Sequence, residues 1–238
     1  VSAHESMKAV VYDFAESRAG RHAEKFLGDW RGTLVCDDYA GYKNLLGKGL
    51  IEAGCMAHAR RKFLELFAAN QSGLAGQALE YFGKLYGVER DAAQLDAEAR
   101  LQLRQENAKP IATAFHAWLK TQRLQVPEGS ATARAIDYSL RRWAALTHYL
   151  TDGKVPIDNN WIENQIRPIA LGRKNWLFAG SLRAGERAAA VMSLIQSAKL
   201  NGLDPLAYLT DVLERLPTQP NSRVGELLPH RWAAAARG

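Results

Sequence analysis

Two acidic residues stand at the end of a short apolar run near the start of the chain. Asp37 and Asp38 directly follow Thr33–Cys36 (TLVC), a run suited to a strand that is buried on both faces. Carboxylates at the end of a strand in an α/β sheet project into the crevice where metals and ligands bind. A polar turn after a strand has the same local sequence. The segment therefore indicates either a metal-binding carboxylate or a simple turn.

A second acidic segment runs from Asp158 to Pro168 (DNNWIENQIRP). On a helix, Asn160, Glu163 and Arg167 share one face because they are spaced by three and four residues. The amide and the guanidinium would make this glutamate unlike a freely solvated one. Alternatively, Glu163 and Arg167 form an ordinary helix pair worth about 0.3–0.5 kcal/mol. The local sequence leaves both interpretations open.

Basic and aromatic residues follow this helix closely. Arg173 and Lys174 precede Trp176 and Phe178 within the segment LGRKNWLFAGS. Basic side chains can bind phosphates while an aromatic ring stacks on an exposed base. Trp176 and Phe178 would serve equally well as core residues. The segment is a candidate nucleic-acid contact.

A third cluster lies between the two acidic segments. Cys55 and His58 have the spacing of half a zinc site, but a structural zinc needs four ligands and no second pair lies nearby. We therefore interpret His58 as a polar group near a site rather than as a zinc ligand. Arg60, Arg61 and Lys62 follow directly and could contact phosphate, although a solvated helix start would look the same.

The overall composition and the absent motifs exclude several classes of protein but do not identify the function. The 238 residues carry 31 Lys and Arg against 25 Asp and Glu, a net charge of +6, which suggests a polyanionic partner. The excess lies largely within 156–199, among the motifs. The sequence contains no Gly-rich phosphate loop, no dinucleotide fingerprint and no recognisable Ser/His/Asp arrangement, which argues against an ATPase, a Rossmann enzyme and a serine hydrolase. Two cysteines and no membrane-length apolar run predict a cytoplasmic protein with no membrane partner.

The elements that must position these residues fall into two parts, one with predicted strands and one that is predicted to be helical. Lys8–Phe14 and Thr33–Cys36 predict strands, with a helix over Arg21–Leu27 between them, which suggests an α/β crossover. Helices predominate from Ala57 onward. They are predicted over Arg60–Ala69, Ala78–Leu95, Ala97–Leu119 with a kink at Pro110, Thr132–Leu150, Trp161–Ala170 and Ala184–Leu200. Asp204-Pro205 opens a last helix with an inner face of Leu209, Val212, Leu213 and Leu216, and the tail after Pro217 is expected to be loose until Leu227.

Together the segments resemble one known family. The runs GTLVCDDYAGYKNLL, IEAGCMAHARRKFLEL, IDNNWIENQIRPIALGRKNWLFAGS and GERAAAVMSLIQSAKLNGLDPLAYLTDVLERL are similar, in order and spacing, to insertion sequence 66 family transposases. The resemblance implies an α/β ribonuclease H-like core, incomplete at its N-terminus, with a large all-α insertion and a C-terminal helical element, predominantly helical overall. The implied domains are a partial core over 1–58, a helical insertion over 59–155, a catalytic helix with the basic/aromatic segment over 156–201, and a C-terminal element over 202–238.

The resemblance also implies roles for individual residues. The family pattern is Asp, Asp, Glu, in which Asp37 matches the second acid and Glu163 the third, and both would bind Mg²⁺ or Mn²⁺ in a two-metal site. Asp38 stands where the family has a small residue. His58 and Asn160 would support the site. DNA contacts are expected from Arg60, Arg61, Lys62, Arg167, Arg173, Lys174 and Trp176, and a homo-oligomer on DNA is expected.

The first acid of the pattern is expected on a strand upstream of Val1. Asp13 is too close to Asp37 to replace it, because one strand–helix–strand unit separates them. The chain by itself is therefore expected to be impaired as a catalyst of DNA strand cleavage and transfer. Three alternatives remain: another ribonuclease H-like nuclease such as a junction resolvase, a non-catalytic DNA-binding or assembly remnant of a transposase, and a helical protein unrelated to nucleic acid.

Overall fold

Helices dominate the computed structural model, which describes residues 3–4, 7–46, 49–172 and 179–232. The strands are β1 (Ala3–His4), β2 (Met7–Lys8), β3 (Gly32–Cys36) and β4 (Leu50–Gly54). The helices are α1 (Gly20–Leu27), α2 (Lys43–Leu46), α3 (Met56–Asn70), α4 (Gly73–Asp91), α5 (Ala97–Leu103), α6 (Lys109–Arg123), α7 (Ala131–Arg141), α8 (Trp143–Leu146), α9 (Asn160–Gly172), α10 (Leu182–Leu200) and α11 (Pro205–Arg215). The prediction of a predominantly helical protein is confirmed.

The chain divides into two compact units. The first, called here the 23–161 unit, is continuous; the second, called the 162–238 unit, combines residues 1–22 with 162–238. Each unit contains a hydrophobic core of its own.

A two-stranded parallel sheet forms one part of the 23–161 unit. β3 pairs with β4 from Gly32↔Leu50 to Cys36↔Gly54, and α2 lies in the connection between them. The strand predicted over Thr33–Cys36 and the helix before it are present, but β3 is half-buried except at Cys36, so burial on both faces was wrong. Its partner was not predicted, although Leu50–Gly54 is an apolar run bounded by glycines.

The strand predicted over Lys8–Phe14 is largely absent. Strand pairing stops at Lys8, and residues 9–14 have no regular secondary structure. Instead, Val10 N–H donates to Ser197 Oγ at 2.9 Å, Ser197 Oγ donates back to Val10 C=O at 3.1 Å, and Tyr12 N–H donates to Ser193 Oγ at 2.8 Å. Two serines one turn apart on α10 thus satisfy alternate residues of the segment. The hydroxyl groups of these serines therefore bind backbone groups that a neighbouring strand would bind if residues 9–14 formed the predicted strand.

Ser197→Ala is expected to destabilise the 162–238 unit by about 1–3 kcal/mol, because it leaves a buried N–H and C=O of Val10 without their partner. Urea unfolding and amide hydrogen exchange at Val10 measure the effect. Ser193→Ala is the matched comparison, since it removes a single bond to the half-buried Tyr12 segment and should cost less. Equal stability of the Ser197 variant and the parent chain would contradict this account.

Aromatic packing between α3, α4 and α6 forms the core of the 23–161 unit. Phe63 lies 5.9 Å from Phe82, and Phe82 meets Phe115 edge to face at 5.1 Å, all three being fully buried. Offset and edge-to-face pairs of this kind add about 0.5–1.5 kcal/mol each beyond the area they bury. The aromatic side chains of these helices therefore belong to one core, which also includes Ala53 of β4.

A π-helical turn, Arg104–Ala108, separates α5 from α6 at the kink predicted near Pro110. It places Arg104 in the interior with 1% of its surface exposed. Arg104 Nε and Nη2 donate to the Glu89 carboxylate at 2.8 and 2.6 Å. Its Nη1 donates to the carbonyls of Tyr149, Asp152 and Val155 at 2.9–3.1 Å. One side chain thus holds the connection that leads to α9.

The C-terminal element packs α11 against α10 through Tyr208 and Val212. Asp204 caps α11 by accepting the Ala207 N–H at 2.7 Å, as the Asp-Pro pair predicts. The predicted inner face was wrong in part, because Leu213 and Leu216 are 65% and 46% exposed. Tyr208 takes the inner position, and its hydroxyl donates to the Leu227 carbonyl at 2.8 Å.

The tail after Pro217 is more ordered than predicted. A 3₁₀ helix over Leu216–Thr218 and another over Asn221–Leu227 occupy it, and the Trp232 ring packs edge to face on Tyr208. Among the helices of the described residues, none is long and apolar enough to span a bilayer.

Candidate active site

Asp37 lies at the carboxyl end of β3, directly after the last ladder pair, Cys36↔Gly54. Because β3 and β4 are parallel, both strands end at the same edge of the sheet. The Asp37 carboxylate is half-buried and makes no hydrogen bond or ion pair with the residues that the structure describes. Burial first, and then the negative charges of Glu52 and Asp37, raise the pKa of the Cys36 thiol to about 12. Within the described part of the chain, Asp37 is therefore a carboxylate at a strand end without an ion-pair partner.

Asp38 has a different environment from its neighbour. Its φ of 64° is left-handed, a conformation that aspartate adopts more readily than most residues other than glycine. Its carboxylate forms an ion pair with the guanidinium of Arg142, and a second nitrogen of Arg142 donates to Glu52 at 2.7 Å. Two of the carboxylates at this edge thus share one arginine as their ion-pair partner, and Asp37 is not among them.

Lys62 joins this group through Tyr138. Its ammonium lies 4.5 Å from the centre of the Tyr138 ring, and the Arg142 guanidinium lies 5.7 Å from the same ring. Burial is the main cause of the raised pKa of Tyr138, which Asp38 and Asp37 also raise and Arg142 lowers. Arg60 and Arg61 are exposed just before Lys62 on α3. The predicted basic cluster therefore extends to the acidic edge of the sheet.

A polar cleft of about 540 Å³ opens beside these residues. Its walls come from the sheet, from the segment after Asp37 and from the junction of α7 and α8. Its lining residues are Asp38, Lys43, Glu52, Tyr138, Arg141, Arg142, Ala144 and Ala145. The mixture of cations and ion-paired carboxylates suits a charged polymer better than an apolar ligand.

The motif that begins α9 meets the motif that begins α3 at the same edge. Met56, the first residue of α3, donates its N–H to the Ile157 carbonyl at 3.1 Å. Burial raises the pKa of the Cys55 thiol, and hydrogen bonds from the backbones of Asn159 and His58 oppose that rise. The segments that carry His58 and Asn160, a hundred residues apart in sequence, are therefore neighbours.

Asp158 anchors the start of α9. One carboxylate oxygen accepts the Asn160 N–H at 3.0 Å, and the other accepts the Asn160 amide at 2.9 Å and the Tyr86 hydroxyl at 2.7 Å. The predicted supporting residue Asn160 is thus held by a carboxylate that is itself tied to α4. Burial, and then the hydrogen bond to Asp158, raise the pKa of Tyr86, so its hydroxyl stays a donor.

Glu163 and Arg167 lie on α9, at the positions that the sequence predicts. Glu163 is half-buried in the first turn and Arg167 is exposed one turn later. Both belong to the 162–238 unit, whereas Asp37 belongs to the 23–161 unit, and the approach of Asp37 to Glu163 stays a prediction. Arg173, Lys174 and Trp176 lie outside the described residues.

The donor chemistry of Asp37 fits a hard divalent cation. A half-exposed carboxylate with no protein partner among the described residues offers the oxygen ligands that Mg²⁺ prefers. Within the ranges described, no group of three or more His, Cys, Asp or Glu side chains is placed to hold a metal. A metal bound at Asp37 would therefore require ligands in addition to those gathered within these ranges.

Sequence reasoning missed three residues that organise this edge, Arg142, Glu52 and Tyr86, whereas it placed Asp158 in the segment that caps α9. Arg142, Glu52, Tyr86 and Asp158 contact partners 72 to 104 positions away. Glu52 could have been found from its strand, because it lies within the glycine-bounded run Leu50–Gly54. Arg142 gives no local signal, since it is the second of two arginines near the end of a helix.

The acidic end of β3 lies close to the basic side chain of Lys62 on α3, and comparison with known families identifies the class of protein. The model of the IS66 transposase family matches residues 1–187, and that of the IS66 C-terminal element matches residues 193–230. The chain therefore belongs to the IS66 family of transposases.

Relatives in Sinorhizobium fredii cover nearly the whole chain. The uncharacterized protein y4hP is 37% identical over 245 residues, which is 96% of this chain and 44% of the relative. The uncharacterized protein y4jD is 39% identical over 235 residues, 95% of this chain and 46% of the relative. The chain thus spans less than half the length of these relatives. No solved structure matches the chain.

Proposed function

We propose that this chain is part of the catalytic core of a DDE transposase that cleaves DNA at transposon ends and joins the 3′-hydroxyl to target DNA. The observation that carries the proposal is the meeting of three motifs at one edge of the β3–β4 sheet: the Asp37 strand end, the α3 start and the α9 start. Family membership supplies the reaction class. The fold of the complete core is proposed to be ribonuclease H-like.

Asp37 and Glu163 are proposed to be catalytic carboxylates that bind Mg²⁺ or Mn²⁺. Glu163 stands three residues beyond Asn160 on α9. Asn160 lies near the edge of the sheet at which β3 ends and Asp37 begins the next segment. Two divalent ions, when bound, stabilise the attacking and leaving oxygens of an in-line phosphoryl transfer. Asp37 and Glu163 would hold them, and His58 and Asn160 would keep the surrounding backbone in place.

Basic side chains are proposed to bind the DNA backbone. Arg60, Arg61 and Lys62 lie together at the start of α3 beside the acidic edge. Arg167, Arg173, Lys174 and Trp176 would extend the contact along and beyond α9. The protein would act in the cytoplasm as a homo-oligomer that brings transposon ends and target DNA together.

A third acid is proposed to come from the part of the protein that lies outside the matched region. Two divalent ions would need more carboxylate oxygens than Asp37 and Glu163 supply by themselves. The test replaces the matched region of y4hP by this chain, giving what is called here the y4hP fusion. The fusion should cleave and join end-sequence DNA with Mg²⁺, and the isolated chain should turn over poorly. Robust turnover by the isolated chain would overturn the proposal of an external acid.

The products of that assay separate the proposal from its nearest rival. A ribonuclease H-like nuclease such as a junction resolvase would release cut strands without joining them to target DNA. Joined products identify a transposase. A fusion that binds DNA but yields neither product would favour the non-catalytic remnant.

DNA binding by the isolated chain should be steeply salt-dependent, because each phosphate contact releases counterions. Replacing Arg60, Arg61 and Lys62 by glutamine should reduce the slope of log K against log salt by about 2–3. Fluorescence anisotropy between 50 and 200 mM salt, about a fourfold range, is enough to measure the slope. The same three substitutions at Arg90, Arg134 and Lys84 remove equal charge elsewhere on the 23–161 unit and serve as the control. An unchanged slope in the first variant would exclude the α3 cluster from the interface.

A further inference from the structure

Arg142 occupies the junction between α7 and α8, on the helical part of the 23–161 unit. Its side chain is nine-tenths buried, and it binds two carboxylates of the sheet region at once, Asp38 and Glu52. These partners lie 104 and 90 positions away in the sequence. A long-range clamp of this kind ties the end of β3 to the helices.

The clamp controls charge next to Asp37. Asp37, Asp38 and Glu52 place three carboxylates around the end of β3, and the guanidinium of Arg142 pairs with Asp38 and Glu52. Without it, those two carboxylates would be released beside Asp37. Carboxylate oxygens are good ligands for Mg²⁺, so the released groups would compete with Asp37 for the cation.

The clamp also controls the backbone next to Asp37. Asp38 is held at φ 64°, a left-handed conformation that turns the chain immediately after the Asp37 carboxylate. Aspartate tolerates this conformation, and a side-chain contact can hold it in place. The ion pair to Arg142 is the side-chain contact that the structure gives Asp38.

We propose that Arg142 is a positioning residue for the metal site. By pairing with Asp38 and Glu52, Arg142 leaves Asp37 as the carboxylate that binds the cation. The same pairing fixes the direction in which the Asp37 carboxylate points. The proposal rests on the proposed function, since it deepens the role of Asp37. Its chemistry requires arginine, because a planar guanidinium can donate to two carboxylates from separate nitrogens, whereas a lysine ammonium is a single compact charge.

The experiment measures Mn²⁺ binding and strand transfer separately in the y4hP fusion. Arg142→Gln should lower strand transfer about 10- to 100-fold, the range seen when outer-shell partners of metal ligands are changed. Mn²⁺ binding, followed by electron paramagnetic resonance, should stay the same or tighten because two carboxylates become available. Loss of folding alone would weaken both Mn²⁺ binding and strand transfer. A loss of strand transfer with Mn²⁺ binding retained therefore identifies a positioning role for Arg142. Arg134→Gln, which removes an exposed cation of α7 that does not line the cleft, is the matched control.

Two further variants keep the proposal falsifiable if Arg142→Gln folds poorly. Arg142→Lys keeps the charge and should still lose activity. Adding Asp38→Asn and Glu52→Gln to Arg142→Gln removes the competing carboxylates and should restore strand transfer at least several-fold. An active parent fusion whose Arg142→Lys and Arg142→Gln variants both transfer strands normally would overturn the role of Arg142. A parent fusion that neither binds Mn²⁺ nor acts on DNA would overturn the proposed function instead.

Discussion

Asp37→Asn is expected to lower metal-dependent strand cleavage by the y4hP fusion at least about 1000-fold, with little change in DNA affinity. The substitution keeps the size of the side chain but removes the negative charge that, under the proposed function, would hold a divalent cation. A metal ion contributes several kcal/mol to stabilising the transition state of phosphoryl transfer, and each 1.36 kcal/mol is a factor of ten in rate. DNA binding should survive because it depends on basic side chains.

Folding should also survive this substitution. The Asp37 carboxylate has no hydrogen bond or ion pair to lose within the described part of the chain, so its replacement leaves no partner unsatisfied there. Cleavage of labelled end-sequence DNA with Mg²⁺ and with Mn²⁺, beside a urea unfolding curve, checks both statements. Asp29→Asn, the same change at an exposed aspartate shortly before β3, is the control and should cleave normally.

Two related variants test whether Asp37 belongs to the proposed site. Glu163→Gln should cause a loss comparable to that of Asp37→Asn, since both acids would bind the same pair of cations. Asp38→Asn should cost less, because its carboxylate is occupied by Arg142. If Asp38→Asn proves the more damaging of the two neighbours, the assignment of the second acid moves to Asp38. If Asp37→Asn cleaves at the parent rate, Asp37 has no metal to hold.

Local patterns predicted the parts of the fold that local chemistry decides. The Asp204-Pro205 pair predicted the start of α11, and the structure places the Asp204 carboxylate on the Ala207 N–H. Gly28 ends α1 with a φ of 52°, a conformation that glycine adopts without a steric penalty. Pro110 marked the interruption between α5 and α6, which is a π-helical turn, because proline cannot donate a helical hydrogen bond. In each case one residue and its immediate neighbours determine the outcome.

Predictions failed where the outcome depends on a distant partner. Residues 9–14 have the composition of a strand, but a strand forms only beside another strand, and here Ser193 and Ser197 bind the backbone first. The inner face of α11 was assigned from spacing, yet Tyr208 packs inward because its hydroxyl reaches the Leu227 carbonyl. The clamp of Arg142 joins residues that no local pattern connects. The motifs of the candidate site were visible in the sequence, whereas the side chains that hold them in place were not.

Arg104→Met is expected to destabilise the 23–161 unit by about 3–5 kcal/mol, the largest change in stability that we predict for a single substitution. Methionine fills a similar volume but leaves the Glu89 carboxylate, 16% exposed, without its partner. Removing one member of a buried ion pair costs this much because the remaining charge is uncompensated. The carbonyls of Tyr149, Asp152 and Val155 lose a shared donor as well.

The loss of stability caused by Arg104→Met should affect the candidate site through the backbone. The segment 149–155 that Arg104 holds leads directly to Ile157, whose carbonyl binds the start of α3, and to Asp158, which anchors α9. In a preparation that remains folded, hydrogen exchange should therefore rise first at Asn160 and at Met56, before it rises in the aromatic core. Exchange that rises first around Phe63 and Phe82 would place the effect in the core instead.

A double substitution separates the charge from the packing. Arg104→Met with Glu89→Gln removes both ionic groups, so it should be more stable than Arg104→Met alone, because no buried charge is left unpaired. Arg90→Met, at an exposed arginine next to Glu89 on α4, is the matched control and should stay within about 0.5 kcal/mol of the parent chain. Urea unfolding of the four proteins gives the comparison. If Arg104→Met unfolds within about 1 kcal/mol of the parent, its five hydrogen bonds do not hold the connection to α9, and the start of that helix must be positioned by Tyr86 and Asp158 alone.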